Sequence, residues 1–366
     1  MAKLKKNPLP SFHVDVEPLL AQNEPLKASD FEPATESQKE DFIKIRKSQS
    51  YWQDAFRRLR KNKIAMVAFF VIILLIIFAF IGPFFVDYKY SQQIRGSENL
   101  PPMAYSAAEQ ELIDSGEKVF PHVFGTDNLG RDILIRVMSG TRVSMTIGIV
   151  ASLIVLVIGS LYGAISGYFG GRVDTIMMRI TEMIYSIPDI LIVLLLATTL
   201  KPAIDAFILK NPSHVMAKFL SSIGSSLIAI FICFALLYWV GMARIIRGQI
   251  LQLKQQEYVV AARALGASSG SIIRKHLLPN CIGQIIVNTC LQIPSAIFLE
   301  SFLSFLGNGV QAPMTSLGSM ASDALSGMYT YTYRLVIPAI FLSVMILAFN
   351  LFGDGLRDAL DPRLKK

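Results

Sequence analysis

The chain reads as an all-α membrane protein of about six transmembrane helices, and three observations lead there. Hydrophobic residues fill 52% of its 366 positions and charged residues only 17%, with a mean hydropathy of +0.47, too little charge to clothe a soluble surface. Several apolar runs are long enough to cross a hydrocarbon core of about 30 Å. Basic residues gather beside alternate ends of those runs, which is the pattern of cytoplasmic flanks.

The first run, Ile64 to Val86, is nearly free of charge and spans roughly 35 Å as a helix. It starts well inside the chain and lacks a small-residue cleavage pattern, so it is read as a membrane helix and not a cleaved signal. Similar runs cover Val143 to Tyr168, Ile176 to Leu200, Ser222 to Ala243, Ile282 to Leu306 and Tyr333 to Gly353. In the third, Arg179, Glu182, Pro188 and Asp189 interrupt the apolar pattern. Such breaks are tolerated where neighbouring helices satisfy the freed backbone groups, so they mark that span as facing protein.

Lys44, Arg46, Lys47, Arg57, Arg58, Arg60, Lys61 and Lys63 precede the first helix, whereas only Lys89 and Arg95 closely follow it. This places the N-terminus in the cytoplasm. Six crossings return the C-terminus there, beside Arg357, Arg363, Lys365 and Lys366, and the basic segment Arg244 to Asn280 falls on the same side. The resulting organisation has a polar cytoplasmic tail over 1–40, expected to be disordered, and an amphipathic inner-surface segment over 41–63. The first helix follows over 64–86 and an extracytoplasmic loop over 87–142. A core over 143–356 holds five helices and a cytoplasmic loop over 244–281, and residues 357–366 form a second cytoplasmic tail.

Thirty-five Lys and Arg against 27 Asp and Glu leave a net charge of +8. In so apolar a chain this excess points to flanks lying against anionic membrane lipid, and not to a nucleic-acid partner. Cys233, Cys281 and Cys290 form an odd set without C-x-x-C spacing, and His13, His122, His214 and His276 are scattered. Neither a disulfide framework nor a metal site is predicted. The phosphate loop G-x-x-x-x-G-K-[ST] is missing, as are H-E-x-x-H and G-x-S-x-G, so no catalytic residue is assigned and no ATP hydrolysis is expected of this chain.

The inner segment is the most informative. Tyr258, Ala261, Ala262 and Leu265 recur at i, i+3, i+4 and i+7 within Glu257 to Gly266, and Gly266 is placed to end that helix in the left-handed conformation. Ser268 or Ser269 can cap a second helix carrying Ile272, Ile273 and Leu277, which Pro279 is expected to stop. Small residues on one face and a basic rim suit a docking element; a plain hairpin between spans is the simpler reading.

These residues resemble the integral membrane subunits of bacterial ABC importers, whose cytoplasmic loop has the form E-A-A, three residues, G, nine residues, I-x-L-P. Ala261, Ala262, Gly266, Leu278 and Pro279 match at that spacing, with Val260 and His276 at its Glu and Ile positions. FGTDNLGRD (Phe124 to Asp132), ESFLSFLGNGVQAP (Glu300 to Pro313) and GDGLRDALDPR (Gly353 to Arg363) narrow the resemblance to the second permease of the oligopeptide, dipeptide and nickel branch.

The resemblance implies a type I importer permease fold in a bacterial cytoplasmic membrane, with alternating access driven by separate ATPase subunits. The implied partners are a homologous second permease, two cytoplasmic ATPase subunits that bind ATP and Mg, and an extracytoplasmic peptide-binding protein; this chain would hold no cofactor itself. Glu257, Tyr258, Ala261, Ala262, Leu265, Gly266 and Ala267 would form the coupling helix that docks an ATPase subunit.

Pro188, Asp189, Glu300, Ser301 and Ser304 are candidates for the translocation path, because ionisable groups and broken helices within a membrane commonly surround transport routes. For Glu300 a packing carboxyl bonded between helices is an equal reading. In FGTDNLGRD, Thr126 or Asp127 can cap the next helix while Arg131 pairs with Asp127 or Asp132. Other classes stay open on the residues alone: an ion-coupled secondary transporter with Asp189 and Glu300 as relays, an importer of another cargo such as a nickel chelate or haem, or a peptide-sensing receptor.

Overall fold

The computed structural model describes residues 51–360, apart from position 313. The tail expected over 1–40, the first part of the 41–63 segment, Pro313, and the basic residues Arg363, Lys365 and Lys366 lie outside the described residues.

Fourteen α-helices are named here among the described residues. They are α1 (Tyr51–Lys61), α2 (Lys63–Ile76), α3 (Ala107–Asp114), α4 (Ile133–Phe169), α5 (Gly171–Tyr185), α6 (Asp189–Lys210) and α7 (Val215–Ile223). The remainder are α8 (Ser225–Cys233), α9 (Trp239–Leu253), α10 (Glu257–Ala264), α11 (Ser269–Ile272), α12 (Ile282–Phe305), α13 (Leu317–Ala324) and α14 (Tyr333–Leu360). Among the described residues, six helical segments are long and apolar enough to cross a membrane: Lys63–Phe85, Ile133–Phe169, Asp189–Lys210, Ser225–Leu253, Ser269–Phe305 and Tyr333–Leu360.

The number of spans agrees with the sequence expectation, but several boundaries do not. The second span begins at Ile133, so the outer loop expected over 87–142 ends at Asp132. Its first three turns were obscured by Arg136, Ser139 and Thr141, polar residues that are buried against neighbouring protein and not against lipid. The fourth span continues through Arg244 and Arg247 to Leu253, which shortens the inner loop expected over 244–281. The last helix reaches Leu360, into the tail expected over 357–366.

The third span, expected as one run from Ile176 to Leu200, is two helices. Pro188 has no N–H to donate and disfavours helical backbone at the residue before it. Accordingly α5 stops at Tyr185, and Pro188 stands as the N-cap of α6, its carbonyl accepting the Leu191 N–H at 3.1 Å. Pro279 has the opposite outcome. It lies in a tight turn over Leu278–Cys281 that joins α11 to α12 without ending the helical path, so the expected stop is a distortion instead.

Helix α4 is the centre of the bundle. Its 37 residues reach about 55 Å, and it packs against α9 along one side and α12 along another, while α14 joins α12 to α2. Close approach to α9 depends on Gly159, Gly163 and Gly167. A side-chain carbon at Gly159 would stand 2.6 Å from Met242 Cβ, and one at Gly163 would meet the Ala243 carbonyl. Small residues four apart remove the side-chain volume that keeps membrane helices separated. Helix α6 lies at the periphery, with Leu191, Leu195 and Leu209 exposed.

Candidate functional site

At one end of the bundle the chain leaves α9 and folds back as α10 and α11. Lys254 Nζ donates to the Gly167 carbonyl at 2.8 Å and to that of Tyr168 at 3.4 Å, which ties the exit to the last turn of α4. Val259 and Ile272, both without exposed surface, seat α10 and α11 in the main core. The guanidinium of Arg263 lies 5.6 Å from the centre of the Tyr168 ring, a cation–π contact that holds α10 beside α4.

The end of α10 is closed by paired reverse bonds: Ala267 N–H donates to the Ala262 carbonyl at 3.1 Å and Gly266 N–H to that of Arg263 at 3.0 Å. Gly266, at φ +80°, supplies the left-handed residue this closure needs. Ser268 caps α11 through its hydroxyl, resolving the choice left between it and Ser269. The periodic face of α10 turns outward: Leu265 is 88% exposed and Tyr258 42%, Ala261 is exposed and Ala262 half-buried, and Glu257 and Val260 are exposed beside them. This is a short rigid helix anchored by Val259 that presents an apolar, basic-flanked tip.

A second place lies in the middle of the bundle. Pro188 and Asp189 form the break between α5 and α6, and Tyr238 donates its hydroxyl to Asp189 Oδ2 at 3.1 Å. Two adjoining cavities of about 590 and 470 Å³ share Asp189 and Tyr238. Ser186 and Pro188 line the first, and Pro294, Phe298 and Asn350 the second. Tyr238 stands near the middle of its span and Pro294 near the middle of α12, so Asp189, although the first residue of its own span, reaches the depth of those residues. A carboxylate there costs about 3 kcal/mol against lipid, and an open cavity is the alternative to that cost.

Glu300, Ser301 and Ser304 are not brought to these cavities. Glu300 has no exposed surface. Ser144 on α4 and Ser304 each donate a hydroxyl to it at 2.7 Å, and Ser301 does so at 3.2 Å. Ser304 Oγ in turn accepts the Val310 N–H at 2.9 Å. These hydroxyls satisfy the buried carboxyl group inside protein, so it clamps α4, α12 and the following loop together. All three are buried in this packing arrangement and do not line the two cavities, which favours the packing reading for Glu300.

Helices α9 and α5 are also connected. Arg247 on α9 grips Asp174 on α5 with two bonds of 2.5 Å, a fork geometry that fixes orientation as well as distance. The Arg247 bond, set against partial burial, holds the Asp174 carboxyl below its ordinary range.

The segment between the first two spans is an ordered cap. Asp132, rather than Thr126 or Asp127, caps α4, its Oδ1 accepting the Ile135 N–H at 3.0 Å. Thr126 Oγ1 instead accepts the Leu100 N–H, and Asp127 binds Arg131, as expected, and Arg136. Both arginines reach Asp323 after α12, at 3.3 and 3.2 Å. Within the cap His122 is fully buried between Asp132 (2.8 Å) and Glu109 (3.0 Å), its ring stacked on Tyr88.

Tyr238, Asn350 and the Glu109–His122–Asp132 array were not anticipated from sequence. Tyr238 sits 49 positions from Asp189, and helical periodicity does not report a contact between distant segments.

Comparison with known proteins finds transport permeases. Residues 159–366 match the family described as binding-protein-dependent transport system inner membrane component, and residues 50–102 match the N-terminal transmembrane domain of oligopeptide transport permease C. The chain is 44% identical over 322 residues to the dipeptide transport system permease protein of Bacillus subtilis, covering 88% of each chain. It is 41% identical over 336 residues to the oligopeptide transport system permease protein of the same organism, covering 92% of this chain and 97% of that one. The oligopeptide transport system permease protein of Escherichia coli K12 is 38% identical over 314 residues, covering 86% of this chain and 92% of the relative.

Proposed function

This chain belongs to the family of binding-protein-dependent transport system inner membrane components, and on that premise we propose that it is one of two permeases forming the path of an ATP-driven peptide importer. The observation that carries the reading is the α10 tip, an exposed apolar helix end held rigidly to the longest helix of the bundle. The relatives' names supply the cargo class, dipeptide or oligopeptide. ATP and Mg belong to two cytoplasmic ATPase subunits, and the outer cap faces an extracytoplasmic peptide-binding protein.

In this account Glu257, Tyr258, Ala261, Ala262, Leu265, Gly266 and Ala267 dock one ATPase subunit, so α10 lies in the cytoplasm together with both chain ends. Closure of the ATPase pair displaces α10 as a unit, because Val259, Lys254 and Arg263 leave it little freedom of its own. The displacement reaches α4 through Tyr168, and α5 through the Arg247–Asp174 grip. Helix α5 ends at the Pro188 break, where a small rotation changes the shape of the cavity beside Asp189. ATP thus biases two arrangements of one path, and no covalent step occurs in this chain.

The cavities open on the surface of this subunit, as expected if a homologous permease supplies the opposite wall. Burial of Glu300 among serines removes one of the two relays that an ion-coupled mechanism would have used. Co-purification of the tagged chain with the products of its neighbouring genes, followed by reconstitution and uptake of labelled peptide, tests the proposal. ATP-dependent uptake with a second permease and ATPase subunits present supports it. Uptake driven by an ion gradient, without ATPase subunits, overturns it.

A further inference from the structure

Helix α1 runs directly into the first span through the Asn62 cap, whose side chain accepts the Ala65 N–H at 3.2 Å. It therefore lies at the level where the bundle enters the membrane, at the same end as the last turns of α14. One of its faces is apolar and incompletely covered. Trp52, Ala55, Phe56 and Leu59, with Ile286 of α12 and Leu356 and Leu360 of α14, line an open groove of about 460 Å³. Among the described residues, Gln53 and the indole N–H of Trp52 are the polar side-chain groups in that lining, and the rest is apolar, so water fills the groove poorly.

The flank of the groove is cationic. At 3.6 residues per turn, Arg60 stands about 40° and Arg57 about 100° around the axis from Phe56, with Lys61 about 40° further. Arg57, Arg60, Lys61 and the following Lys63 are all exposed. The acidic residue of the helix, Asp54, is occupied by Arg58 at 2.6 Å, on the side opposite Phe56. Asp354 and Asp358 are exposed on α14, two positions from the groove residues Leu356 and Leu360, with Arg357 between them. An apolar slot bordered by unneutralised guanidinium and ammonium groups at a membrane boundary fits a molecule with a hydrocarbon chain and an adjacent anionic phosphate.

We propose that the groove between α1, α12 and α14 is a binding site for an anionic phospholipid. One acyl chain lies against Phe56, Leu59, Ile286 and Leu356, and the phosphate meets Arg57 and Arg60. A bound lipid fills the space between α1 and the ends of the fifth and sixth spans, so it holds α1 on the bundle. Lipid binding on this face is independent of cargo and ATPase docking; only its assignment to the inner leaflet rests on the orientation proposed above.

The test uses the full chain purified with the subunits that co-isolate with it. The delipidated complex is titrated with phosphatidylglycerol or phosphatidylcholine of identical acyl chains and read by native mass spectrometry. Wild type retains phosphatidylglycerol at lower concentration than phosphatidylcholine, and the pair R57Q/R60Q removes on the order of tenfold of that preference. Leu356→Trp, which fills the groove while leaving the cations in place, weakens retention of both lipids. Should L356W not assemble, the surface-charge pair decides the question alone.

Equal retention of the two lipids by wild type overturns the proposal, as does an unchanged preference in R57Q/R60Q. Unchanged retention in an assembled L356W shows a headgroup patch without an acyl site and also overturns it. If lipid binds only after deletion of residues 1–45, the groove belongs to this chain's own N-terminal segment and not to lipid. ATP-driven uptake in an R57Q/R60Q variant that has lost lipid preference separates failure of this proposal from failure of the importer reading.

Discussion

Tyr238 hands its hydroxyl to Asp189 at 3.1 Å, so the fourth span supports the one carboxylate that lines both mid-bundle cavities. The bond fixes the side chain at the start of α6, where Asp189 Oδ1 also accepts the Ile190 N–H at 2.9 Å. A carboxylate held at that depth beside a helix break can meet a cationic group in transit, and the peptide α-ammonium is such a group.

Replacing Asp189 with Asn keeps size and hydrogen bonding while removing the charge. Uptake should fall by roughly tenfold, the scale of one hydrogen bond to a charged group, with assembly unchanged. Tyr238→Phe should give a smaller loss of about threefold, since it frees the carboxylate without neutralising it. Initial uptake rates in proteoliposomes check both, and unaltered uptake in D189N removes Asp189 from the path.

Glu300 is expected to behave in the opposite way. Glu300→Gln preserves shape and lets the serine hydroxyls rotate, so uptake should remain within about twofold and the melting temperature should drop only slightly. Glu300→Ala strands Ser144, Ser301 and Ser304 around a void and should destabilise the chain by about 3 kcal/mol. Thermal unfolding in detergent separates the two variants. A transport defect in E300Q with normal stability would return Glu300 to the path.

The cap between the first two spans should depend on pH through His122. Burial lowers the pKa of the ring, but the hydrogen bond and charge of Asp132, then those of Glu109, outweigh it and leave the imidazolium favoured beyond its ordinary range. A raised folded-state pKa gives stability that is complete below the unfolded value near 6.5 and is lost as pH rises through the folded value. For Glu109 burial acts upward, but the Ser106 bonds and His122 prevail, and its carboxyl is held below the usual range. Its contribution is present above the unfolded value and is lost as pH falls through the depressed one.

Hydrogen exchange over residues 104–132, corrected for the intrinsic pH dependence, should show protection decreasing toward alkaline pH. His122→Gln should have lower protection throughout, with the alkaline decrease abolished. An alkaline profile identical in wild type and H122Q would show that the ring does not titrate as described.

Gly266 closes α10 at φ +80°, where a β-branched side chain costs about 1–2 kcal/mol. Nothing stands within 4 Å of a carbon added there, so the effect of Gly266→Val is conformational and not steric. The variant should insert normally yet redirect Leu265 and Ala267, lowering peptide transported per ATP hydrolysed by several-fold. Parallel measurement of uptake and hydrolysis checks this, and an unchanged ratio would detach the closure from coupling.

Much of this was readable from the chain because membrane spans and caps are local signals. Apolar length gave six spans, and the Glu257 to Gly266 period gave α10 with its terminating glycine. Boundaries failed where polarity served protein contacts: Arg136 and Thr141 look like loop residues but are buried inside the second span. Pro188 and Pro279 look alike in sequence, yet one separates two helices and the other only distorts a continuous path, because the backbone around Pro279 is taken up by a tighter turn. Glu300 drew attention as an ionisable residue in an apolar run, and the serine that places it in packing, Ser144, lies 156 positions away. The glycines at 159, 163 and 167 were a usable signal of close helix packing that the span-length criterion passes over.

Coupling as proposed requires that the α10 tip sit on an ATPase subunit. Leu265→Cys in the assembled transporter, treated with a short thiol-to-amine cross-linker and compared with the parent chain lacking the added cysteine, tests it most directly. A covalent product joining this chain to one ATPase subunit is expected, with a yield that changes when ATP is added. Absence of that product in a complex shown to contain the ATPase subunits, or a product with the extracytoplasmic binding protein, would contradict it.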